Sequence, residues 1–587
     1  MSDSVVVGAG GFIGRALVGE LLTRDHSVTA AVHSRPERLT RWLDGQGVDT
    51  DRLLLVECDI TRPGLGLADD TPSMSSARDV YNAAGKMEFG LAEDQARSVN
   101  VAGALNVLDW AARLPELRRI VHITGYRHTA PGVATPSYAE GAYAASKVEG
   151  DVALQRSAAE RGLPLTIANP STVIGPGQYF GLAETVAKLW RGKLPAVPGR
   201  DIFIPVVSVE YFAAFLASLP DRPETAGREY TVLDPATPPL MELMRLLAGH
   251  MGVRAPRYQI PLSLLRRLPR AMTGADRESL AFLGSERYDT KAAEEHAAAA
   301  GLRMPPAEQL LRDWADQLVA ARFGADPQPR PGGFRNGVWI SGDTSEPECV
   351  LLHGLPMDSE LWGQVRAELS QPTLAADLPG FGRSAPSTAP LDEWLVDLLA
   401  PMARPPVVVA HSLACGPAVR IAVARPELLS GLVLISPAFL QRRSNWLTRS
   451  TLAVPALRHM DSSRLARTLG VPDSSATASA AENLRRPGVA SRVVAALRAS
   501  TPPARESLQK DLARVQIPVR IVVGTLDPLI IEPAHPVVQI TQAGHYPQLT
   551  HARQVTDTIA AVMEAKPLRA RANGLEHRLS GPTSLES

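Results

Sequence analysis

Short, wholly apolar runs alternate along this chain with longer segments whose apolar positions recur at roughly every third or fourth residue, the signatures of strands and amphipathic helices. In the first part, SVVVGA, SVTAAV, LLLVEC and RRIVHIT predict strands, and FIGRALVGELLTR predicts a helix between the first two. Strands separated by helices point to βαβ units and a parallel sheet. The segment PPAEQLLRDWADQLVAARF, residues 305–323, sets Leu311, Trp314 and Leu318 at helical spacing. Then GADPQPRPGGFRNG breaks both periods with prolines and glycines, which predicts a linker over 324–337. Beyond it GVWISG, CVLLHG, TLAADL, PVVVAHS, GLVLIS and VRIVVG read as strands with helical patterns between them. The stretch from about 439 to 515 holds no convincing strand and reads as helices inserted ahead of the last strands. The polar tail 567–587 reads as disordered.

At 587 residues the chain exceeds what one hydrophobic core organises, so two α/β domains are expected, at 1–323 and 338–566. Lys and Arg total 61, as do Asp and Glu, which favours neither nucleic acid nor an anionic membrane as partner. Cys58, Cys349 and Cys415 are far apart and lack metal-ligand spacing, so no metal site and a reducing compartment are expected. No signal peptide precedes the first strand, and no apolar run approaches the roughly eighteen residues that span a bilayer. A cytoplasmic location follows as the expectation.

Candidate chemistry in the first domain begins at GAGGFIG, which puts Gly8, Gly11 and Gly14 between a strand and a helix. Glycines there let the backbone turn tightly and approach a pyrophosphate seated at the positive helix end. YAASK places Tyr143 and Lys147 four residues apart, on one face of a helix. A nearby ammonium favours phenolate, so such a tyrosine can pass a proton to or from a carbonyl oxygen. At the end of the second strand stands AAVHSRPER, with His33, Ser34 and Arg35 where an NAD site wants an acidic residue. Arg35 suits a ribose 2′-phosphate, which favours NADP(H) over NAD(H).

The Gly-x-x-Gly-x-x-Gly spacing, NAAG (82–85), SVNVAGALNVL (98–108), the Tyr143/Lys147 pair and NPSTVIG (169–175) together resemble extended short-chain dehydrogenase/reductases over roughly the first 320 residues. DITRPGLGL (59–67) and AAGKMEF (83–89) resemble the fatty acyl and thioester reductase branch. The resemblance implies a Rossmann-type doubly wound parallel sheet, with Phe12, Ile13, Asp59, Ile60, Ala83 and Lys147 beside the cofactor. It also implies a hydroxyl residue holding the substrate oxygen at the end of the strand RRIVHIT, here Thr124. The chain departs from the pattern just there, because Gly125 and Tyr126 follow where further hydroxyl residues are usual.

In the second domain, VVVAHSLACG places Ser412 between a strand and a helix, flanked by Ala410 and Ala414. A serine on a sharp strained turn needs such small neighbours. HGLP (353–356) and DLPGFGRS (377–384) precede it, and Asp527 in VVGTLDPL and His545 in QAGHYPQ follow. The order Ser, Asp, His resembles that of α/β-hydrolases over about residues 335–566. By that resemblance Ser412 is the nucleophile, His545 its base and Asp527 the orienting acid, with backbone N–H groups of Leu355 and Leu413 as oxyanion donors. His411 and Cys415 read as structural. The helices of 439–515 read as a lid, whose Arg485, Arg486, Arg492, Arg498 and Arg505 either form a solvated basic face or meet a phosphate of coenzyme A or a carrier arm.

The whole reads as a bifunctional enzyme: NADPH-dependent reduction of a carbonyl, joined to hydrolysis of an ester, thioester or lactone. Its substrates would be small or acyl molecules, free or linked to coenzyme A or a carrier protein. Two alternatives stay open. One is a thioester-to-aldehyde reductase fused to a thioesterase or esterase; the other is a catalytically silent cofactor sensor governing a serine hydrolase.

Overall fold

Each apolar run singled out above forms a strand in the computed structural model, which describes residues 3–67, 74–86, 90–125, 137–139, 141–267, 280 and 283–565. The expected tail lies outside the described residues. The chain divides into two compact units, the first comprising Met1–Leu189, Leu194–Leu247 and Ala255–Leu318. The second comprises Trp190–Lys193, Ala248–Arg254 and Val319–Ser587.

In the first unit β1 (Ser4–Val7), β2 (Val28–Val32), β3 (Leu53–Glu57), β4 (Asp79–Asn82), β5 (Arg119–Ile123), β6 (Leu165–Pro170) and β7 (Glu229–Val232) make one sheet, ordered β7-β6-β5-β4-β1-β2-β3. Every neighbouring pair is parallel. Order therefore reverses between β1 and β4, the switch point at which sheets of this kind bind ligands beyond the carboxyl ends of their strands. The hydrophobic pattern did not single out β4, β6 or β7, whose sequences DVYN, LTIANP and EYTV lack a wholly apolar run. The helix Phe12–Thr23 covers one face through buried Leu17, Val18 and Leu21. The expected helix near the end of this unit spans Ala307–Ala320 and buries Leu311, Trp314 and Leu318, as their spacing requires.

The second unit holds an eight-stranded sheet. Its strands are β8 (Gly332–Arg335), β9 (Val338–Gly342), β10 (Cys349–Leu352), β11 (Thr373–Ala376), β12 (Val407–His411), β13 (Gly431–Ile435), β14 (Val519–Gly524) and β15 (Val537–Ile540). The order is β8-β9-β11-β10-β12-β13-β14-β15, with β9 antiparallel to both its neighbours and the remaining pairs parallel. Here the expected linker needs correction, since Gly332–Arg335 within it is an edge strand. Asn336 (φ 51°) and Gly337 (φ 76°) both take the left-handed conformation, the two-residue turn that matches strand twist. That Asn-Gly pair outweighs the prolines before it.

Between β13 and β14 lie the inserted helices Ala453–Arg458, Ser462–Leu469, Ser475–Leu484, Val489–Ala499 and Pro502–Ala513. Of their arginines, Arg485 and Arg498 are exposed, as a solvated face requires, whereas Arg486 and Arg505 are buried and Arg492 half-buried. Arg486 donates to the Gly382 carbonyl at 2.6 Å and Arg492 to that of Gly380 at 2.6 Å. Arg485, Arg498 and Arg505 reach the carbonyls of Met460, Arg449 and Gln441. Arg486 and Arg492 fasten the insertion to the loop 380–382, because loops leave carbonyls that lack partners.

A further tie is carboxylate-based. Asp358, wholly buried, accepts from Ser479 Oγ at 2.7 Å and Asn483 Nδ2 at 2.8 Å, both on the helix Ser475–Leu484. Burial raises its pKa to about 6. Next to it Asp377 accepts from the Ser359 amide (2.7 Å), the Arg383 amide (2.7 Å) and the Arg383 guanidinium (2.9 Å). Burial alone would raise the Asp377 carboxyl, but the guanidinium holds it down at about 2. Arg383 also reaches Glu360 at 3.0 Å. Removing the cation from such a buried cluster strands the carboxylates. Arg383→Ala should therefore cost about 3–5 kcal/mol of stability, read as a lowered midpoint in urea unfolding of the full chain. An unchanged midpoint would contradict that account.

Candidate active sites

At the carboxyl end of β1 the chain must turn within van der Waals reach of the loop after β4. Gly8 has φ 82°, and a Cβ there would lie 2.6 Å from the Ala84 amide nitrogen. A Cβ on Gly14 would lie 2.2 Å from the Gly8 carbonyl oxygen. Only hydrogen fits at either position. Gly11 caps the helix Phe12–Thr23 without a side chain, and no acidic residue occupies its first turn. The open N–H groups of this helix end suit an anion, so the residues present fit a dinucleotide's pyrophosphate.

Around this cradle, Phe12 and Ile13 begin the helix, and Ala83 is tied back to β1 by its amide on the Val7 carbonyl at 2.9 Å. Asp59 accepts from the Thr61 hydroxyl (2.6 Å) and amide (3.0 Å), bonds that lower its pKa. Ile60 packs against Gly103, where a Cβ would lie 2.8 Å from its Cδ1. His33, Ser34 and Arg35 are exposed just past β2, with Arg35 at φ 56°.

Tyr143 and Lys147 lie in the helix Ala142–Glu160, the first buried and the second half-buried. Lys147 Nζ donates to the Ile123 carbonyl at 3.4 Å and comes within 3.2 Å of where a Gly85 Cβ would stand. Desolvation lowers its pKa, and the charge of Asp151 one turn on opposes that. Asn100, which the sequence reading did not single out, sits in a π-helical turn over Ser98–Ala102. It accepts from the Lys86 amide at 3.0 Å and donates to Ser146 Oγ at 2.9 Å. Such a turn commonly marks a functional site. Single-sequence periodicity carries no sign of it.

Thr124 is in place at the end of β5, but its hydroxyl donates to Asp151 Oδ2 at 2.5 Å. A substrate carbonyl is itself an acceptor, and this hydroxyl has one proton to give. In this arrangement Thr124 does not offer it outward. Asp151 also stands 3.4 Å from His122 Nε2, and His122 Nδ1 accepts from Asn82 Nδ2 at 3.1 Å. Burial lowers the His122 pKa and leaves the ring neutral. Asn82 Oδ1 in turn accepts from the Ala84 amide at 3.1 Å. One buried polar line thus joins the Tyr/Lys helix to the loop that packs on Gly8.

In the second unit Ser412 follows β12 at φ 51°, a conformation that costs a non-glycine residue about 1–2 kcal/mol. Gly354 makes room beneath it, since a Cβ there would lie 2.6 Å from Ser412 Cβ. Ser412 Oγ is 2.9 Å from His545 Nε2, and His545 Nδ1 is 2.6 Å from Asp527 Oδ2. A carboxylate only accepts, so Nδ1 carries the proton and Nε2 is left to accept from serine. Leu413 directly follows the serine, and Leu355 is held by its carbonyl accepting from Tyr546 Oη at 2.7 Å. His411 donates from Nε2 to the His545 carbonyl at 2.8 Å, and burial takes its pKa well below the usual value. Burial likewise raises the thiol of Cys415 and pushes that of Cys58 up to about 11. A second residue missed from sequence is Gln441, whose Nε2 donates to Asp527 Oδ2 at 2.7 Å. No local pattern points to it, because its role depends on a contact 86 positions away.

Residues 4–197 match the model of the NAD dependent epimerase/dehydratase family, and residues 349–558 match that of the alpha/beta hydrolase family. The chain is 35% identical over 98 residues to the pimeloyl-[acyl-carrier protein] methyl ester esterase of Shewanella woodyi, covering 16% of this chain and 38% of the relative. It is 35% identical over 132 residues to an esterase of Mycobacterium tuberculosis, covering 20% of this chain and 41% of that one. It thus spans about two fifths of the length of these curated relatives. Cinnamoyl-CoA reductase 1 of Oryza sativa is 27% identical over 265 residues, covering 41% of this chain and 74% of the reductase. Among solved structures, the terminal R domain from the myxalamid PKS-NRPS biosynthetic pathway is similar with a TM-score of 0.46 at 20% identity, covering 56% of this chain and 92% of that one. The chain therefore carries an epimerase/dehydratase-type domain followed by an α/β-hydrolase domain.

The cradle and the Arg35 position generate paired expectations. Gly14→Ala should abolish binding of both NADPH and NADH, because its Cβ would strike the Gly8 carbonyl. Arg35→Ala should raise the Kd for NADPH about tenfold and leave that for NADH within twofold, since only NADPH carries the 2′-phosphate. Isothermal titration with each cofactor checks both, and equal changes for the two cofactors would remove Arg35 from the site.

Proposed function

We propose that this fusion is a bifunctional enzyme that reduces a carbonyl with NADPH and hydrolyses an ester or thioester of an acyl substrate. The observation that carries the hydrolytic half is the unbroken Ser412–His545–Asp527 hydrogen-bonded line beginning at a strained turn. Ser412 Oγ attacks the acyl carbon while His545 Nε2 takes its proton, and Asp527 holds the imidazole in the tautomer this requires. The amides of Leu413 and Leu355 receive the oxyanion. His545 then returns the proton to the departing alkoxide or thiolate, and water repeats the sequence to free the acid.

In the reductive half, NADPH when bound supplies a hydride. Tyr143 protonates the carbonyl oxygen, and the Lys147 ammonium favours the phenolate left behind. Asn100, fixed between Lys86 and Ser146, keeps the helix Ala142–Glu160 in register with the turn that bears it. The names of the esterase and cinnamoyl-CoA reductase relatives support an acyl group carried on a thioester or ester as the common substrate class. Two activities on one chain would then serve successive intermediates of one route.

Fluorophosphonate treatment followed by mass spectrometry should find the adduct on the peptide containing Ser412. Ser412→Ala and His545→Ala should each abolish most hydrolysis, with the double variant little worse than either, because these residues act as a unit. Tyr143→Phe should keep NADPH binding and lose carbonyl reduction by at least about a hundredfold, the scale of a positioned general acid. An unlabelled Ser412 in a hydrolytically active chain, or near-normal reduction by Tyr143→Phe, would overturn the corresponding half.

A further inference from the structure

We infer that Gln441 is a positioning residue for Asp527, and that the inserted helix Pro502–Ala513 holds it in that role. The inference rests on the hydrolytic reading of Ser412, His545 and Asp527.

Asp527 Oδ2 receives two donors, His545 Nδ1 at 2.6 Å and Gln441 Nε2 at 2.7 Å. The same Gln441 Nε2 lies 2.8 Å from the Asp527 carbonyl oxygen. Both partners are acceptors, so the amide must present its NH2 group to them; its orientation is dictated. One NH2 group bridging the backbone and the side chain of a residue restricts that side chain's rotation. The need for such a restraint is visible in exposure. The Asp527 side chain is 31% exposed, so water competes for its oxygens, whereas Gln441 is only 2% exposed.

Gln441 is itself held from two sides. Its carbonyl accepts from the guanidinium of Arg505, a buried residue of the helix Pro502–Ala513. From the same helix Gln509 Nε2 donates to the Phe439 carbonyl at 2.9 Å. On the other side the Ile530 amide donates to the Leu440 carbonyl at 2.9 Å. The strap 439–441 is thus fastened both to an inserted helix and to the loop that carries Asp527. Through it, the position of the insertion bears on the carboxylate that orients the base.

The chemical consequence has a sign. A donor on Oδ2 partly neutralises the oxygen that stabilises the His545 imidazolium. Without it that oxygen is more negative, the imidazolium is favoured, and the free base persists only at higher pH. The carboxylate also turns more freely, so fewer imidazole rings are aligned at any moment. Loss of Gln441 should therefore lower kcat and move the acidic limb of the pH profile upward. A residue that merely supports the fold would not move that limb.

The test measures hydrolysis of a short-chain p-nitrophenyl ester by the full chain across pH. Gln441→Met should lower kcat about tenfold with KM within twofold, and shift the acidic limb of kcat/KM upward by roughly half a unit to one unit, the scale of one hydrogen bond to a charged group. Gln441→Glu, the same shape with an acceptor in place of the donor, should shift it in the same direction and lower kcat further. Arg505→Met should give a smaller loss of the same kind. In an Asp527→Asn background, Gln441→Met should change kcat less than twofold, because its effect passes through the carboxylate. Gln441→Glu and Arg505→Met carry the test even where Gln441→Met unfolds. An unmoved acidic limb, or an undiminished effect in the Asp527→Asn background, would overturn the inference alone. Absence of fluorophosphonate labelling at Ser412 in the unsubstituted chain would overturn the hydrolytic reading, and this inference with it.

Discussion

Both sites depend on backbone brought against backbone at the carboxyl end of a parallel strand. In the first unit the turn after β1 passes so close to the loop after β4 that Gly8 has no room for a Cβ, and Gly14 meets the Gly8 carbonyl in the same way. In the second unit Gly354 lies under the turn at Ser412. A parallel sheet splays its strand ends toward one edge, and loops leaving neighbouring strands converge there. Small residues let them converge far enough to surround a ligand with amides. The rest of each site is arranged around that approach.

Convergent loops carry polar groups away from water, and each unit compensates with a buried network. Asp377 accepts from the Ser359 amide in the segment after HGLP and from the Arg383 guanidinium, and Asp358 extends the same cluster to an inserted helix. In the other unit Asn82, His122 and Asp151 run beneath Lys147. The two solutions differ in charge. Arg383 brings a permanent cation that no neighbour can deprotonate, so its cluster is a fixed weld. The Asn82–His122–Asp151 line holds one anion beside a lysine whose desolvation weakens its own charge, and the ionisation of that lysine is thereby tied to the network.

Much of this was legible in the sequence because the signals were local. Apolar runs marked the buried strands, and glycine spacing marked the cradle. Ser412, Asp527 and His545 stood out through their order relative to strands. What escaped had other causes. The strand Gly332–Arg335 hid behind prolines, although the Asn336-Gly337 pair after it is a strong hairpin signal. Thr124 follows β5, but its partner Asp151 lies 27 positions away, and that partner decides where the hydroxyl points. Arg486, Arg492 and Arg505 read as part of a charged face because charge is visible in a sequence and the carbonyls they meet are not. Asn100 and Gln441 likewise owe their importance to contacts rather than to any pattern of neighbours.

Three histidines near Ser412 illustrate how environment, not residue type, assigns a role. His353 donates from Nδ1 to the Gly354 carbonyl at 2.9 Å and accepts at Nε2 from the Leu378 amide at 2.8 Å. Both nitrogens are occupied, and burial lowers its pKa. His411 is also buried, with its pKa taken well down, and gives its Nε2 proton to a backbone carbonyl. A ring in either place is not free to take a serine proton, since both nitrogens of His353 are already engaged and burial works against a cation on His411. His545 differs on both counts. Its side chain is 30% exposed, Asp527 lies 2.6 Å from Nδ1, and Nε2 faces a hydroxyl rather than an amide. There, taking a proton puts the new charge beside the Asp527 carboxylate. The adjacent His411 carries the same ring next to the same serine in sequence, and is excluded by its surroundings.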